Sequence, residues 1–600
     1  MGSRISSRKL APLSSKTLCI FTVIMKYPKI PVAQSIVALC EAKEIRHVVI
    51  SPGSRNAPLT NGFASNPQIK AYSIVDERCA GFFALGMAQQ LQKPVALVCT
   101  SGSALLNYYP AVAEAFYSDI PLIVISADRP IERIDIGDGQ TIRQKNVFAN
   151  HILYSANLHS EVVTDNTDPV VKRKQFESQK HNEREINLAL NTAIEKKGPV
   201  HINVPFYEPL YEMVEESSVR PLQIFPEIED PVIPRKNLQS YADIWNSAER
   251  KMIIVGVNQP DSVEQKYLDE LARDDSVIVF TETTSNLSHE DFFTRIDTII
   301  GPIEQSEDRE AQFKALQPDI LLTFGGMVVS KKIKAFLRAY QPKQHWHIDE
   351  KKAYNTYFCL NKHFVTSPNN FFAQFFPLTT KVDSAYRKKW IEVKDIRQEL
   401  HDKYVEEIPF SDFKVFQEIF KTIPENNLVH LSNSSTIRYA QLFKMDPSYK
   451  LFCNRGTSGI DGSTSTAVGA AVIAKEPTLL LTGELGFFYD SNALWNSHIP
   501  KDFRIIVINN GGGGIFRILP GNKDSENFDQ FFETVHNLNA EPLCGMYGFE
   551  YQSARTMEEV EESLGSFFSE KEKPALLEIF TPRKVNDEVL LQYFKFMRNL

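Results

Sequence analysis

The chain has 600 residues, 43% of them hydrophobic and 23% charged, enough for two to four domains with sizeable cores. A formal net charge of −8 argues against nucleic-acid binding by bulk electrostatics, and no apolar run reaches the ~18 residues that a membrane span needs. Seven cysteines at positions 19, 40, 79, 99, 359, 453 and 544, with no CxxC pair, fit a reducing cytoplasm and no disulfide framework.

Residues 1–25 differ from the rest. Met1 to Lys16 is basic and Ser-rich, and Leu18 to Ile24 is apolar. No small-x-small cleavage site follows, which disfavours a secretory signal. A transit peptide stays open on composition, and the simplest reading is an extension upstream of a start at Met25.

Three α/β stretches follow. Between Pro31 and Pro209, Val48–Ile50, Val95–Cys99 and Leu122–Ile125 read as strands ending in polar or small-residue loops. Cys79–Gln90 and Ser103–Tyr117 read as helices, and Val200–Pro205 as a closing strand whose exit Pro205 and Pro209 mark. From about 215 to 385, Met252–Val255, Val277–Phe280 and Ile320–Phe324 are strands. A charged helical run from about Asp383 to Glu407 opens the third stretch. Strands at Leu428–Leu431, at the runs opening with Leu479 and Ile505, and at Ala575–Phe580 follow it. This alternation predicts three doubly wound parallel-sheet α/β domains with right-handed crossovers.

Ligands gather outside the carboxyl ends of such strands. The Leu479 run leads to Glu484, and the Ile505 run to Asn510 and Gly511–Gly514. A carboxylate, an amide oxygen and bare backbone suit a small hard cation such as Mg2+, which commonly holds phosphates. The glycines fail as a dinucleotide loop, because the frame from Gly511 puts Phe516 where the third glycine belongs.

Other strand-end loops carry candidate groups. In Ser51–Pro58, Ser54 is placed to cap the next helix beside Arg55, giving either an anion cradle or an ordinary turn with a solvated Arg. Val75–Arg78 opens the helix Cys79–Gln90, where Glu77 favours a helix N-terminus whatever else it does. Thr100–Ser103, Ala127–Pro130 and Gly137–Gln144 are each readable as plain connections. Ser432–Arg438 and Asn454–Gly462 carry two Arg that suit a dianionic substrate or pair with surface acids. The polar loop before Ala467–Ala474 reads as a phosphate-facing helix start. Lys331-Lys332 read alone as a solvated face.

The ordered motifs SPGSRNAPLT, DERCAGFFALG, TSGSALLNYYPAVAEA, SADRP, GQTIRQ, SNSSTIR, NRGTSGIDG, TGELGFFYD and NNGGGGIF resemble those of thiamine-diphosphate-dependent enzymes. Among these the chain is similar to the carboligases of menaquinone biosynthesis, over nearly its whole length from Pro31. The resemblance implies a pyrimidine-binding domain (26–212), a central domain (213–382) and a diphosphate-binding domain (383–600). It implies a homodimer or dimer of dimers that shares the cofactor between subunits. The cofactors would be thiamine diphosphate and Mg2+, with Mn2+ as an alternative metal. The reaction would be decarboxylation of 2-oxoglutarate and 1,4-addition of the succinyl unit to isochorismate.

By the same resemblance, Glu77 would hold a proton on the aminopyrimidine ring. Glu484, Asn510 and the Gly512 carbonyl would be metal ligands, with Glu484 standing where the pattern has Asp and one residue fewer before the Asn. Ile460 would be the apolar wedge that bends the cofactor. Gly456, Ser458, Leu485, Ile515 and Phe516 would be further cofactor neighbours. Ser434, Arg438 and Arg455 would face the succinyl part, and Ser54, Arg55, Arg129, Gln140, Lys331 and Lys332 the isochorismate. Lys332 stands where Arg is frequent, and Gly139 where some members have Asn. Two rivals remain: a thiamine-diphosphate decarboxylase of a monoanionic 2-oxo acid, and a catalytically silent relative.

Overall fold

A strand whose every residue is apolar has to be covered on both faces, which a parallel sheet between two helical layers achieves. The computed structural model, which describes residues 26–160, 168–227, 230–518 and 525–598, contains three such sheets. The expectation for residues 1–25 lies outside the described residues. A short antiparallel pair, β1 (Tyr27–Pro28) with β8 (Met213–Val214), ties the start of the first unit to its exit.

The first sheet contains β2 (His47–Ile50), β3 (Lys70–Ser73), β4 (Val95–Cys99), β5 (Leu122–Asp128), β6 (Tyr154–Asn157) and β7 (Val200–Pro205), ordered β3-β2-β4-β5-β7-β6. The second contains β9 (Lys251–Val255), β10 (Val277–Thr281), β11 (Ile320–Phe324), β12 (Gln344–Ile348) and β13 (Lys362–Phe364), ordered β10-β9-β11-β12-β13. The third contains β14 (Leu428–Leu431), β15 (Lys450–Phe452), β16 (Thr478–Gly483), β17 (Arg504–Asn509), β18 (Glu550–Ala554) and β19 (Ala575–Phe580), ordered β15-β14-β16-β17-β19-β18. Neighbours within these three sheets run parallel.

One hydrophobic core joins the first and third units. Phe82, Phe83 and Met87 of the helix Glu77–Leu91 pack with Ala467 and Val468 of the helix Ser463–Ile473, and on to Leu480 and Ile505. The two helix backbones nearly touch: a Cβ added at Gly86 would stand 2.0 Å from the Thr466 carbonyl oxygen, and one at Gly469 would stand 1.9 Å from that of Phe83.

Several local expectations need correction. The helix expected over Ser103–Tyr117 is two helices, Ser103–Asn107 and Tyr109–Ser118. Pro110 lacks the N–H that a continuous helix would use there, and it sits instead in the first turn of a new one. Ser54 caps nothing: the next helix starts at Ala57, behind Asn56. The Glu77 helix begins two residues earlier than expected, because the Asp76 carboxylate accepts from the Cys79 amide at 3.2 Å. The helix expected over Ala467–Ala474 starts at Ser463, after Gly462 in the left-handed region (φ 77°). Glu484 lies not in a loop but at the first position of a short helix, Glu484–Tyr489.

Candidate active site

The carboxyl ends of β14, β16 and β17 open onto a cavity of ≈ 200 Å³ whose walls include Asn433, Ser434, Ile460, Glu484, Asn510 and Phe516. Glu484 is buried, and its Oε1 accepts from the Gly512 amide at 2.8 Å and lies 3.6 Å from His536 Nε2. The Asn510 amide is held by donation from Nδ2 to Asp412 Oδ2 at 3.0 Å. Its Oδ1 is buried with no hydrogen-bond partner among the described residues. Leaving such an acceptor unpaired costs about 1–3 kcal/mol, a deficit that a cation removes.

Gly512 has φ 156°, and a Cβ there would stand 2.7 Å from the Glu533 carbonyl oxygen, so the turn that brings its amide to Glu484 excludes side chains. The Gly512 carbonyl accepts from the Gly514 amide at 2.9 Å and keeps a second lone pair. Burial pushes the Asp412 carboxyl up to about 6 against hydrogen bonds from Thr581 and Asn510, and the Glu484 charge adds to the rise. Among the described residues no group of three or more His, Cys, Asp or Glu could hold a metal. A cation here would therefore depend on the mixed set of Glu484, Asn510 and a backbone oxygen, all oxygen donors of the kind Mg2+ takes. Ile460 and Phe516, each 39% exposed, with Ile515 and the half-buried Leu485 nearby, supply apolar wall. These residues fit a metal-bound diphosphate joined to a partly apolar ring system.

Beside this cavity two guanidinium groups converge. Arg455 Nη1 donates to Asn433 Oδ1 at 2.6 Å, while its Nε is buried without a partner among the described residues. Burial first, and then the Arg455 charge, hold the Arg438 guanidinium below its ordinary value. Ser434, at φ 72°, stands at the N-cap position of the short helix Ser435–Ala440 that carries Arg438, without a side-chain bond to that helix's amides. Gly456 and the left-handed Ser458 (φ 61°) follow Arg455 in the same loop as Ile460.

The first unit holds a second cluster. Glu77 is half-buried at the first helical position, and Asn107 Nδ2 donates to its Oε2 at 3.4 Å. It is not in the wall of the third-unit cavity. Its neighbours are fastened to the third unit of the same chain: Asp76 accepts from Asn492 at 2.9 Å, and Arg78 donates to the Tyr489 carbonyl at 2.8 Å and lies 3.9 Å from Asp490. Asp490 is buried, which pushes its carboxyl up to about 6, and it accepts from the Ser465 amide at 2.7 Å and hydroxyl at 2.9 Å.

Arg55 is buried and donates to the Phe206 carbonyl at 3.2 Å and to Glu208 at 3.1 Å. Burial lowers its pKa, and the neighbouring Arg129 adds to the effect. Arg129 Nε donates to the Gly139 carbonyl at 3.2 Å, next to the exposed Gln140. Arg55, Arg129 and Gln140 thus gather, with the exposed Ser54, at one end of the first sheet. Lys331 is the exposed first residue of the helix Lys331–Ala339 on the second unit. Lys332 is already committed, ion-paired to Glu304 and 4.8 Å over the Phe594 ring. Reading the sequence missed Asp412 and His536, which carry no local signal and meet Asn510 and Glu484 only through the fold.

Residues 30–152 match the family model of the thiamine pyrophosphate enzyme N-terminal TPP binding domain, residues 236–431 its middle domain, and residues 433–579 its C-terminal TPP binding domain. Among curated relatives, the 2-succinyl-5-enolpyruvyl-6-hydroxy-3-cyclohexene-1-carboxylate synthase of Christiangramia forsetii is 69% identical over 577 residues, covering 96% of this chain and 100% of the relative. The protein of the same name from Flavobacterium johnsoniae is 54% identical, covering 95% and 100%. That from Porphyromonas gingivalis is 38% identical, covering 93% and 96%. The chain belongs to the thiamine pyrophosphate enzymes and, within them, to the 2-succinyl-5-enolpyruvyl-6-hydroxy-3-cyclohexene-1-carboxylate synthase family.

Proposed function

We propose that this thiamine-diphosphate-dependent transferase decarboxylates 2-oxoglutarate and adds the succinyl unit 1,4 to isochorismate, giving 2-succinyl-5-enolpyruvyl-6-hydroxy-3-cyclohexene-1-carboxylate in menaquinone biosynthesis. The observation that carries the choice of substrate is the Arg438–Arg455 pair beside the cavity: two guanidinium groups whose acidic neighbours, Asp297 and Glu282, are buried carboxyls pushed toward their neutral form. A monoanionic 2-oxo acid would spend its carboxylate at the reacting end and leave that charge unmet.

Glu484, Asn510 and the Gly512 carbonyl would hold Mg2+, and through it the diphosphate. Bound thiamine diphosphate supplies the nucleophilic carbon and the electron sink that decarboxylation requires. Ile460, Ile515 and Phe516 would offer the bound ring system an apolar wall. Glu77 holds a proton on the aminopyrimidine ring nitrogen. Because Glu77 lies off the wall of its own chain's cavity, this reading needs a second copy of the chain, so that each site takes Glu77 from one protomer and the diphosphate anchor from its partner. Arg438 and Arg455 bind the distal carboxylate of 2-oxoglutarate bidentately, and Ser434 orients its keto end. Ser54, Arg55, Arg129, Gln140 and Lys331 receive the isochorismate carboxylates. The six described cysteines are free, in keeping with a cytoplasmic setting.

Incubation with 2-oxoglutarate, isochorismate and Mg2+, with and without thiamine diphosphate, tests the reading. Cofactor-dependent CO2 release with loss of the isochorismate absorbance is expected. Equal or faster turnover of pyruvate than of 2-oxoglutarate would overturn the substrate assignment.

A further inference from the structure

The loop between β15 and the helix Ser463–Ile473 carries Arg455, Gly456, Ser458 and Ile460 without strand or helix pairing to hold it. Part of it is pinned from within the third unit: Asn433 Nδ2 donates to the Asn454 and Gly459 carbonyls, each at 2.7 Å. The stretch between those two points is pinned from the first unit. Glu114, on the helix Tyr109–Ser118 and 1% exposed, accepts at Oε1 from the Gly456 amide at 2.7 Å. At Oε2 it accepts from the Thr457 amide at 2.6 Å and from the Thr457 hydroxyl at 2.8 Å. Ser118 Oγ donates to Oε1 at 2.8 Å and fixes the carboxylate in turn. The fit admits no larger residue, since a Cβ at Gly456 would stand 2.6 Å from the Glu114 carbonyl oxygen.

Two consecutive backbone amides and a hydroxyl aimed at one buried carboxylate make charge-assisted bonds, about twice as strong as neutral ones. Glu114 spends its charge on the backbone next to Arg455, while Arg455 donates to a neutral amide oxygen. The loop is therefore held by an anion that makes no ion pair with Arg455, whose guanidinium also interacts with the buried Glu282 carboxyl.

We propose that Glu114 is a positioning residue for the 2-oxo acid: by gripping Gly456 and Thr457 it sets the direction of the Arg455 guanidinium and so the affinity for the substrate's distal carboxylate. This rests on the assignment of Arg455 to that carboxylate.

Steady-state kinetics of the holoenzyme with both substrates varied provide the test. Glu114→Gln turns one acceptor into a donor facing donors. It should raise KM for 2-oxoglutarate about tenfold, the worth of one strong hydrogen bond, and leave KM for isochorismate within about twofold. Thr457→Val removes only the hydroxyl bond, at an exposed residue, and should raise the same KM about threefold. It carries the test if Glu114→Gln does not fold. Arg455→Gln should raise that KM at least as much as Glu114→Gln, and the double variant should be no worse than Arg455→Gln alone.

If Arg455→Gln leaves the KM unchanged, the assignment of Arg455 fails and takes the proposal with it. If Arg455→Gln raises it but neither Glu114→Gln nor Thr457→Val does, Arg455 stands and the positioning role of Glu114 is overturned. A uniform rise for both substrates, a loss of melting temperature alone, or multiplicative effects in the double variant would likewise mark Glu114 as a plain interdomain clip.

Discussion

The same substitution, glycine to alanine inside a helix, should move stability in opposite directions at two positions. Gly469 lies in the helix Ser463–Ile473, and an added Cβ would stand 1.9 Å from the Phe83 carbonyl oxygen and 2.7 Å from its carbon. Both atoms belong to the backbone of the helix Glu77–Leu91, so no side chain can swing away. The contact must widen from 1.9 Å to beyond 3.0 Å, which separates two helices whose shared face holds Phe82, Phe83, Ala467 and Val468. Overpacking costs about 1–3 kcal/mol and more against backbone, while alanine returns about 1 kcal/mol of helix propensity. The net expectation is a loss of about 2 kcal/mol.

Gly565, exposed in the helix Met557–Phe567, has no atom of the described residues within 4 Å of an added Cβ. There only the propensity acts, and Gly565→Ala should gain up to about 1 kcal/mol. Urea unfolding of both variants beside the parent, compared at equal slope, reads the difference of about 3 kcal/mol. Because the Glu77 helix is the one displaced, Gly469→Ala should also lower kcat more than Gly565→Ala does. A Gly469→Ala protein as stable as Gly565→Ala would show that the two backbones do not approach as described.

Other expectations follow from the site and the core. Glu77→Gln keeps the shape but not the proton exchange, and should lower kcat by about 10²–10⁴ with an unchanged far-ultraviolet spectrum; near-parental turnover would remove Glu77 from the mechanism. Glu484→Gln still accepts from the Gly512 amide but removes the negative charge, so calorimetric titration should show Mg2+-supported thiamine diphosphate binding weakened about tenfold or more, with the melting temperature of the metal-free protein little changed. His430 is buried, and desolvation holds it down at about 3 from 6.5. The unfolded chain takes up that proton below about pH 6.5 and the folded chain does not, so stability present above pH 6.5 is lost as pH falls towards 3, by about 2 kcal/mol at pH 5. Glu282, Asp412 and Asp490, raised by burial to about 7, 6 and 6, act in the opposite sense and lose stability as pH rises. The diagnostic quantity is therefore the difference in melting temperature between the parent and His430→Gln: it should grow in favour of the variant from pH 7.5 to 5, and a constant difference would refute neutral burial.

The interior strands were legible because burial on both faces writes a continuous apolar run. Val95–Cys99, Ile320–Phe324, Leu428–Leu431 and Ala575–Phe580 have the bounds read from the sequence. The strands that escaped notice are mostly edges. β3, β6, β13, β15 and β18 each have one neighbour and include residues that are only partly buried or exposed, so their sequences carry neither a solid apolar run nor clean alternation. β12 is interior, but its core positions include His345, a buried histidine bonded to Thr323 at 3.0 Å, and polar letters hid it. Pattern reports the average surroundings of a segment, and it fails where the partner of a polar side chain is supplied by another strand.

The candidate site divides in the same way. Glu484, Asn510 and the loops around Arg438 and Arg455 stand at strand ends, and strand ends are visible. The residues that restrain them are not: Asp412 reaches Asn510 across 98 positions and Glu114 reaches Gly456 across 342. Whether a cation is available to a ligand depends on such partners. Arg455 and Lys332 look equivalent as basic residues near strand ends, yet Arg455 keeps an Nε without a partner among the described residues while Lys332 is taken up by Glu304 and the Phe594 ring. Both members of the Lys332–Glu304 pair are about 30% exposed (27% and 31%), so screening keeps its contribution to about 0.5–1 kcal/mol. Lys332→Met should therefore cost a small, salt-dependent amount of stability and leave KM for isochorismate within about twofold, whereas Lys331→Met should raise that KM about tenfold, the loss expected for a charged hydrogen bond. A tenfold rise for Lys332→Met at unchanged stability would mean that the ammonium leaves Glu304 for the substrate, and that the ion pair does not settle which lysine binds.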